Sequence, residues 1–181
     1  MNYEKIILSD NKQIEILDGA LEMKQRFHLY DMALHSYFKL GWGDSQIPER
    51  QPFDYHFYSL YNEEDNKKTG ILDILKKTQF QNSLENLILK KCVINCSLPC
   101  SVFHSHIHFE KKVLLYYVNL EWKDGWHGET LFYSENLNKV EFCCPFTPGR
   151  LIVFDGSIPH TLRPQSIAAP NLRFTLTMFF D

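Results

Sequence analysis

No stretch of this sequence approaches the roughly 20 consecutive apolar residues that a membrane helix needs, so no membrane partner is expected. A basic excess is also missing. Lys and Arg number 19 against 22 Asp and Glu, a net charge of −3, whereas a chain that tracks phosphates usually carries a positive stripe. Nucleic acid is therefore not expected as a partner. The Cys-x-x-Cys clip of structural zinc sites is absent. Five cysteines, an odd number, do not make a full disulfide framework, and they read as buried free thiols. Met1–Asp10 lacks the apolar block of a signal peptide, which together with the thiols points to a cytoplasmic location. There is no internal repeat, low-complexity segment or linker. The expectation is one domain over residues 1–181, a length that suits a single core.

What is present divides at about residue 87. In residues 1–86, Lys5–Leu8 and Gln13–Leu17 read as short strands around an Asp10-Asn11 turn. Apolar spacing predicts a helix over Ala20–Leu40, stopped by Gly41-Trp42-Gly43. The segment Trp42–Asp54 reads as a loop that could serve as a substrate-facing lid or as inert surface. His56–Tyr61 reads as a strand, Asn62–Gly70 as a charged surface turn, and Ile71–Leu75 as a second helix. Residues 87–181 change to strands and turns, with candidates at Ile88–Asn95, Val102–Ile107, Val113–Asn119, Thr130–Tyr133, Lys139–Cys144, Leu151–Phe154 and Leu172–Phe180. Short strands at about ten-residue spacing indicate a sandwich or barrel. The expected class is mainly β with flanking helices, the helices packed outside one β-core.

Histidines concentrate in the β half, at His104, His106, His108, His127 and His160. In an extended strand, residues two apart share a face. His104 and His106 can therefore present two imidazoles to one ion, with His160 as the candidate third ligand. Arg173 stands in an alternating strand, where Arg173, Thr175, Thr177 and Phe179 share one face and Leu172, Phe174, Leu176 and Met178 the other. The second face is apolar and suits a core. The first presents a guanidinium that needs an anionic partner, and a carboxylate clamped by two parallel hydrogen bonds is the partner it fits best.

The order of motifs is His-x-His, Tyr116-Tyr117-Val118-Asn119, Gly128-Glu129-Thr130, Gly149-Arg150-Leu151, Pro159-His160 and Arg173-Phe174-Thr175. As an ordered set it resembles the prolyl-4-hydroxylase-like branch of the iron(II)/2-oxoglutarate-dependent dioxygenases, over residues 88–181. The resemblance implies a double-stranded β-helix (jelly-roll) core, supported by N-terminal helices. It implies Fe(II), O2 and the cosubstrate 2-oxoglutarate, with hydroxylation of a C–H bond and release of succinate and CO2. The substrate it implies is peptidyl proline or another protein side chain, with small molecules left open. It places metal ligands at His104, His106 and His160, and puts the distal carboxylate of 2-oxoglutarate on Arg173 with help from the Tyr117 hydroxyl. Thr177 would contact a different part of the site.

The sequence departs from that pattern at one position. The usual ligand set is two histidines and one carboxylate, and His106 occupies the carboxylate slot. The register His106-Ile107-His108 supplies no acid either, and the spacing to the tyrosine pair favours His104 and His106. The alternative is that Glu110 or Glu129 supplies the carboxylate ligand, Glu129 being read first as a structural member of the Gly-Glu-Thr strand. Three imidazoles protonating near pH 6.5 would make metal loss on acidification steep. Two rival readings stand beside the oxygenase: a catalytically inactive jelly-roll binding module, and a three-histidine metal dioxygenase that does not use 2-oxoglutarate.

Overall fold

The computed structural model describes residues 1–41, 57–99, 101, 103–170 and 172–181. Eleven strands and four helices are assigned among them. In chain order these are β1 (Asn2–Ile7), β2 (Gln13–Asp18), α1 (Met23–Leu34), β3 (Lys39–Leu40), β4 (Phe57–Tyr61), α2 (Glu63–Thr69), α3 (Ile71–Leu75) and α4 (Phe80–Leu84). Then follow β5 (Leu89–Ser97), β6 (Lys112–Tyr117), β7 (Thr130–Tyr133), β8 (Val140–Cys144), β9 (Leu151–Asp155), β10 (His160–Leu162) and β11 (Arg173–Phe180). Eight strands make one sheet in the order β1-β2-β9-β6-β11-β5-β4-β3, and β10-β7-β8 make a second. All the pairings are antiparallel.

Strand alternation creates two cores. On β11, Phe174, Leu176, Met178 and Phe180 join a cluster that contains Leu29 and Ala33 of α1, Ile71 and Leu75 of α3 and Phe80 of α4. That cluster seats the helices on the outer face of the large sheet. Phe179 of β11, Val113 and Tyr117 of β6, and Ile152 and Phe154 of β9 point the other way and meet Phe132 and Cys144 of the small sheet. Each fully buried side chain of this kind contributes about 1.5–3 kcal/mol. Helices outside a large sheet, with a small sheet facing its inner side, are the jelly-roll with helical support that the motif order implied.

The local differences from expectation have identifiable causes. The charged segment after Asn62 is helix α2 and not a turn. Asn62 caps it by accepting from Asp65 N at 2.9 Å, and Gly70 ends it in the left-handed region at φ 65°. Acids in its first turn and lysines in its last complement the helix dipole. The first helix stops at Leu34, well short of Leu40, and Lys39–Leu40 pairs with β4 instead. The expected strand Val102–Ile107 is irregular among its described residues, apart from one bridge at His106. Cys92, Cys96 and Cys144 are buried free thiols as expected, but Cys143 alternates outward on β8 and is exposed. The lid candidate Trp42–Asp54 and Cys100 lie outside the described residues.

Candidate metal centre and carboxylate pocket

The bridge at His106 joins it to His160. Each residue donates its backbone N–H to the other's carbonyl, both at 3.0 Å. In an antiparallel bridge, opposed residues project to the same side, and their ring centroids are 4.4 Å apart. His108 follows two residues later. Its backbone N–H donates to Gly156 O at 2.8 Å, and its ring lies 4.9 Å from His106 and 5.0 Å from His160. One ligand atom from each of His106, His108 and His160 falls within 4.8 Å of the others.

The trio includes His106 and His160 from the expected ligands and takes His108 in place of His104. The two-residue spacing rule applies, but one step along. His104 is not among the three rings that converge, and its carbonyl lies 3.1 Å from His106 Nδ1. A carbonyl only accepts, so His106 Nδ1 carries a proton, which leaves Nε2 as the ring atom available to a metal. His160 is oriented in the same way, with Nδ1 donating to Ile158 O at 2.8 Å. Backbone carbonyls thus set the tautomer of two of the three rings, as is usual for metal-ligating histidines.

The electrostatics favour neutral rings. Burial, reinforced by the neighbouring His106 and Lys91, moves the His108 imidazole from 6.5 down to about 3. His160 is also pushed well below 6.5, first by burial and then by His106 and His108. The expected titration near pH 6.5 therefore does not hold for these two rings. Neither nearby acid joins the cluster. Glu110 pairs with Lys91 at 3.6 Å, and Glu129 lies 3.5 Å from Arg163 and 3.9 Å from His127.

The histidines share a cavity of about 90 Å³ with Arg173, Thr175, Thr177, Thr130, Asn95 and Ser97. A single water requires roughly 10–15 Å³ on the same measure, so this space admits a ligand of several heavy atoms. Its remaining lining is mainly apolar, including Val93, Phe103, Val113, Phe154, Leu162 and Phe179, and contains no acid among the described residues.

Arg173 is 2% exposed. Its Nη2 donates to Gly128 O at 2.8 Å, and its guanidinium carbon stands 4.5 Å from the Phe146 ring and 5.6 Å from the Tyr117 ring. No carboxylate lies within 4 Å of it among the described residues, and Nε is buried without a hydrogen-bond partner. Burial lowers its pKa to about 10, so the group stays cationic at neutral pH. A buried cation whose donors are not all satisfied is costly unless an anion completes the site.

Several residues surround this arginine, among them motif residues to which the sequence assigned no role, such as Asn119 and Gly128. Asn119 brackets it, donating Nδ2 to Leu172 O at 3.0 Å and accepting from Phe174 N at 2.8 Å. Gly128 has φ +85°, and a Cβ there would stand 2.9 Å from Arg173 Nε. Gly156 is needed for a similar reason: a Cβ there would run into the carbonyl oxygen of Glu110. The glycines occur in the Gly-Glu-Thr and Asp-Gly motifs, but their steric role depends on neighbours distant in sequence. Tyr117 is fully buried, and its hydroxyl lies 2.8 Å from Thr130 Oγ1, so Thr130 is the group facing the cavity. Thr177 lines the cavity and accepts from Asn95 Nδ2 at 3.2 Å.

Comparison with known proteins agrees with this architecture. No family model matches the chain, and no curated protein matches it. Solved structures do. A prolyl hydroxylase from Trichoplax adhaerens, in complex with a hypoxia inducible factor oxygen degradation domain peptide, superposes with TM-score 0.65 at 18% identity, covering 92% of this chain and 82% of that one. A Pseudomonas putida prolyl-4-hydroxylase gives 0.66 at 15% identity, with 96% of each chain covered. HygX from Streptomyces hygroscopicus, with nickel and 2-oxoglutarate bound, gives 0.67 at 10% identity, over 94% of this chain and 83% of that one. The chain therefore has the fold of the prolyl hydroxylases and other 2-oxoglutarate oxygenases.

The residues present also fit a metal ion and a keto-diacid. Three imidazoles converge, two with Nδ1 held by a backbone carbonyl so that Nε2 is the atom left for a metal, and imidazole suits ferrous ion among other transition metals. The cation with an unpartnered buried donor lies in the same cavity.

Proposed function

We propose that residues 1–181 act as one Fe(II)- and 2-oxoglutarate-dependent oxygenase domain that hydroxylates a C–H bond. The observation that carries this reading is that Arg173, buried and without a carboxylate partner among the described residues, shares its cavity with the histidine trio. A metal site alone would not require the arginine, and a binding module would require neither.

In this reading His106, His108 and His160 hold the ion, and His104 contributes its carbonyl to the His106 ring. When bound, Fe(II) and 2-oxoglutarate supply the oxidising chemistry, consuming O2 and yielding succinate, CO2 and a hydroxylated product. The protein's own contribution is positional. Arg173 clamps the distal carboxylate through Nε and the guanidinium hydrogens that Gly128 O leaves over. Thr130 presents a hydroxyl backed by Tyr117. Thr177, held by Asn95, contacts a part of the cosubstrate away from Arg173. Phe103, Phe154, Leu162 and Phe179 keep water from the reacting centre.

Two features support a peptide substrate. The Trichoplax neighbour is in complex with a peptide, and a cavity of about 90 Å³ that took up a small acid would leave little room for a second ligand. The target group must therefore approach from outside, as a side chain on a peptide can.

The test is succinate production by purified protein with ferrous iron, ascorbate and 2-oxoglutarate, with and without proline-containing peptides. Iron- and 2-oxoglutarate-dependent succinate is expected, raised by a suitable peptide. Iron-loaded protein that binds 2-oxoglutarate but never forms succinate would exclude the enzyme.

A further inference from the structure

The cavity contains places for two cations and, among the described residues, no acidic side chain. Arg173 is buried in it, the three candidate ligands are imidazoles, which bring no negative charge to an ion, and no acid lines it among the described residues. Of the acids outside it, Glu110 pairs with Lys91 and Glu129 with Arg163, and Glu129 acts on Arg173 only from outside the lining, as a lesser influence than burial. A divalent ion on the trio would bring the formal charge of the pocket to +3. A carboxylate in place of His108 would have left it at +2.

We propose that His108 makes metal and cosubstrate bind as a unit: the site holds a divalent ion weakly until a dianionic acid spanning the ion and Arg173 enters with it. This inference rests on the oxygenase reading and adds to it an order of assembly. The physical reason is mutual repulsion. In a dry cavity the ion and the guanidinium oppose each other, and low dielectric enlarges that opposition. A dianion between them is attracted to both and takes the pocket from +3 to +1. Coupling is reciprocal, so the acid tightens the metal by the factor by which the metal tightens the acid. A charged ligand at position 108 would offset part of the repulsion beforehand and leave the acid less to add. Geometry allows the comparison, because the His108 ring meets the Phe179 ring edge-on at 4.9 Å and a smaller side chain enters that space without a clash.

The experiment is nickel(II) titration by calorimetry of wild type and His108→Asp, each with and without saturating 2-oxoglutarate, with pyruvate as a third arm. Nickel suits imidazole and needs no oxygen control, and pyruvate carries the keto-acid without the distal carboxylate. In wild type, 2-oxoglutarate is expected to tighten nickel by at least about tenfold, within the usual span of coupling between sites, and pyruvate by much less. In His108→Asp, nickel alone should bind more tightly and the tightening by 2-oxoglutarate should shrink by about tenfold. His108→Glu provides the same comparison should the aspartate variant not fold. Equal tightening in wild type and variant overturns the inference and leaves the oxygenase reading intact, as does wild-type nickel affinity that 2-oxoglutarate leaves unchanged while both still bind. Failure of 2-oxoglutarate to bind either protein at nickel saturation removes the oxygenase reading, and this inference with it.

Discussion

His106 and His160 exchange both of their backbone hydrogen bonds, 54 positions apart in sequence, at 3.0 Å each. Two ligand candidates are thereby fixed by main chain and not by flexible loops. The same pairing ties the segment that follows β5 to the small sheet, so the candidate metal centre sits at a structural junction. Sites supported by regular backbone hold their geometry better than sites on free loops.

Arg173 should be the main determinant of affinity for the cosubstrate. Charge-assisted hydrogen bonds contribute about 1.5–3 kcal/mol, so Arg173→Ala is expected to weaken 2-oxoglutarate by about one to two orders of magnitude. Calorimetry on the metal-loaded variant measures this directly. An unchanged dissociation constant would take Arg173 out of that role.

Gly128 should behave as a positioning residue for Arg173. Alanine at φ +85° is strained, and its Cβ would press on Arg173 Nε. Gly128→Ala is expected to cost about 1–3 kcal/mol of stability and to weaken 2-oxoglutarate, while nickel alone binds as in wild type. Thermal melts and titrations separate the two effects, and loss of nickel binding with unchanged 2-oxoglutarate affinity would contradict the assignment.

Gly156 should act on the metal instead. Alanine there must push away Glu110, and Gly156 O is the acceptor that holds the His108 backbone. Gly156→Ala is expected to lower stability by about 1–3 kcal/mol, in the range of overpacking, and to reduce the amount of nickel bound per chain. Metal content after gel filtration checks it, and a full complement of metal would show that the turn does not position His108.

Acid should unfold the metal-free protein earlier than its carboxylates alone require. The folded-state pKa of His108 is lowered from 6.5 to about 3, and that of His160 is lowered as well. The unfolded chain therefore binds these protons first as pH falls. Their contribution to stability is complete above about pH 6.5 and is lost as the pH drops towards 3. For His108 alone the loss by pH 4 is about 3 kcal/mol by linkage. Urea midpoints from pH 8 to 4 should fall, and His108→Gln should flatten the curve. Because both rings are neutral at pH 7, nickel binding should displace almost no protons from them there. Release of two or more protons per nickel would contradict their burial.

Much of this site was readable in the chain because its chemistry lies in short local patterns. The alternation of Arg173, Thr175, Thr177 and Phe179 places four side chains on one face wherever that strand packs, and all four line the cavity. Pro159-His160 after an Asp-Gly turn marks a strand start that carries a ligand candidate. The exact register of the His-x-His pair was not readable. Residues 104, 106 and 108 satisfy the same two-residue rule, and spacing to Tyr117 depends on a loop whose path no local preference sets.

By itself, the sequence determined the β-rich core, the helices outside it and the types of side chain that meet in the cavity, since periodicity and residue chemistry act over a few neighbours. The tertiary structure alone decided that His108 and not His104 joins the trio, that Asn119, Gly128 and Phe146 surround Arg173, and that no acid among the described residues lines the pocket. Each of these depends on contacts between strands far apart in the chain, and close packing, which no short window of sequence contains, settles which side chains those contacts admit.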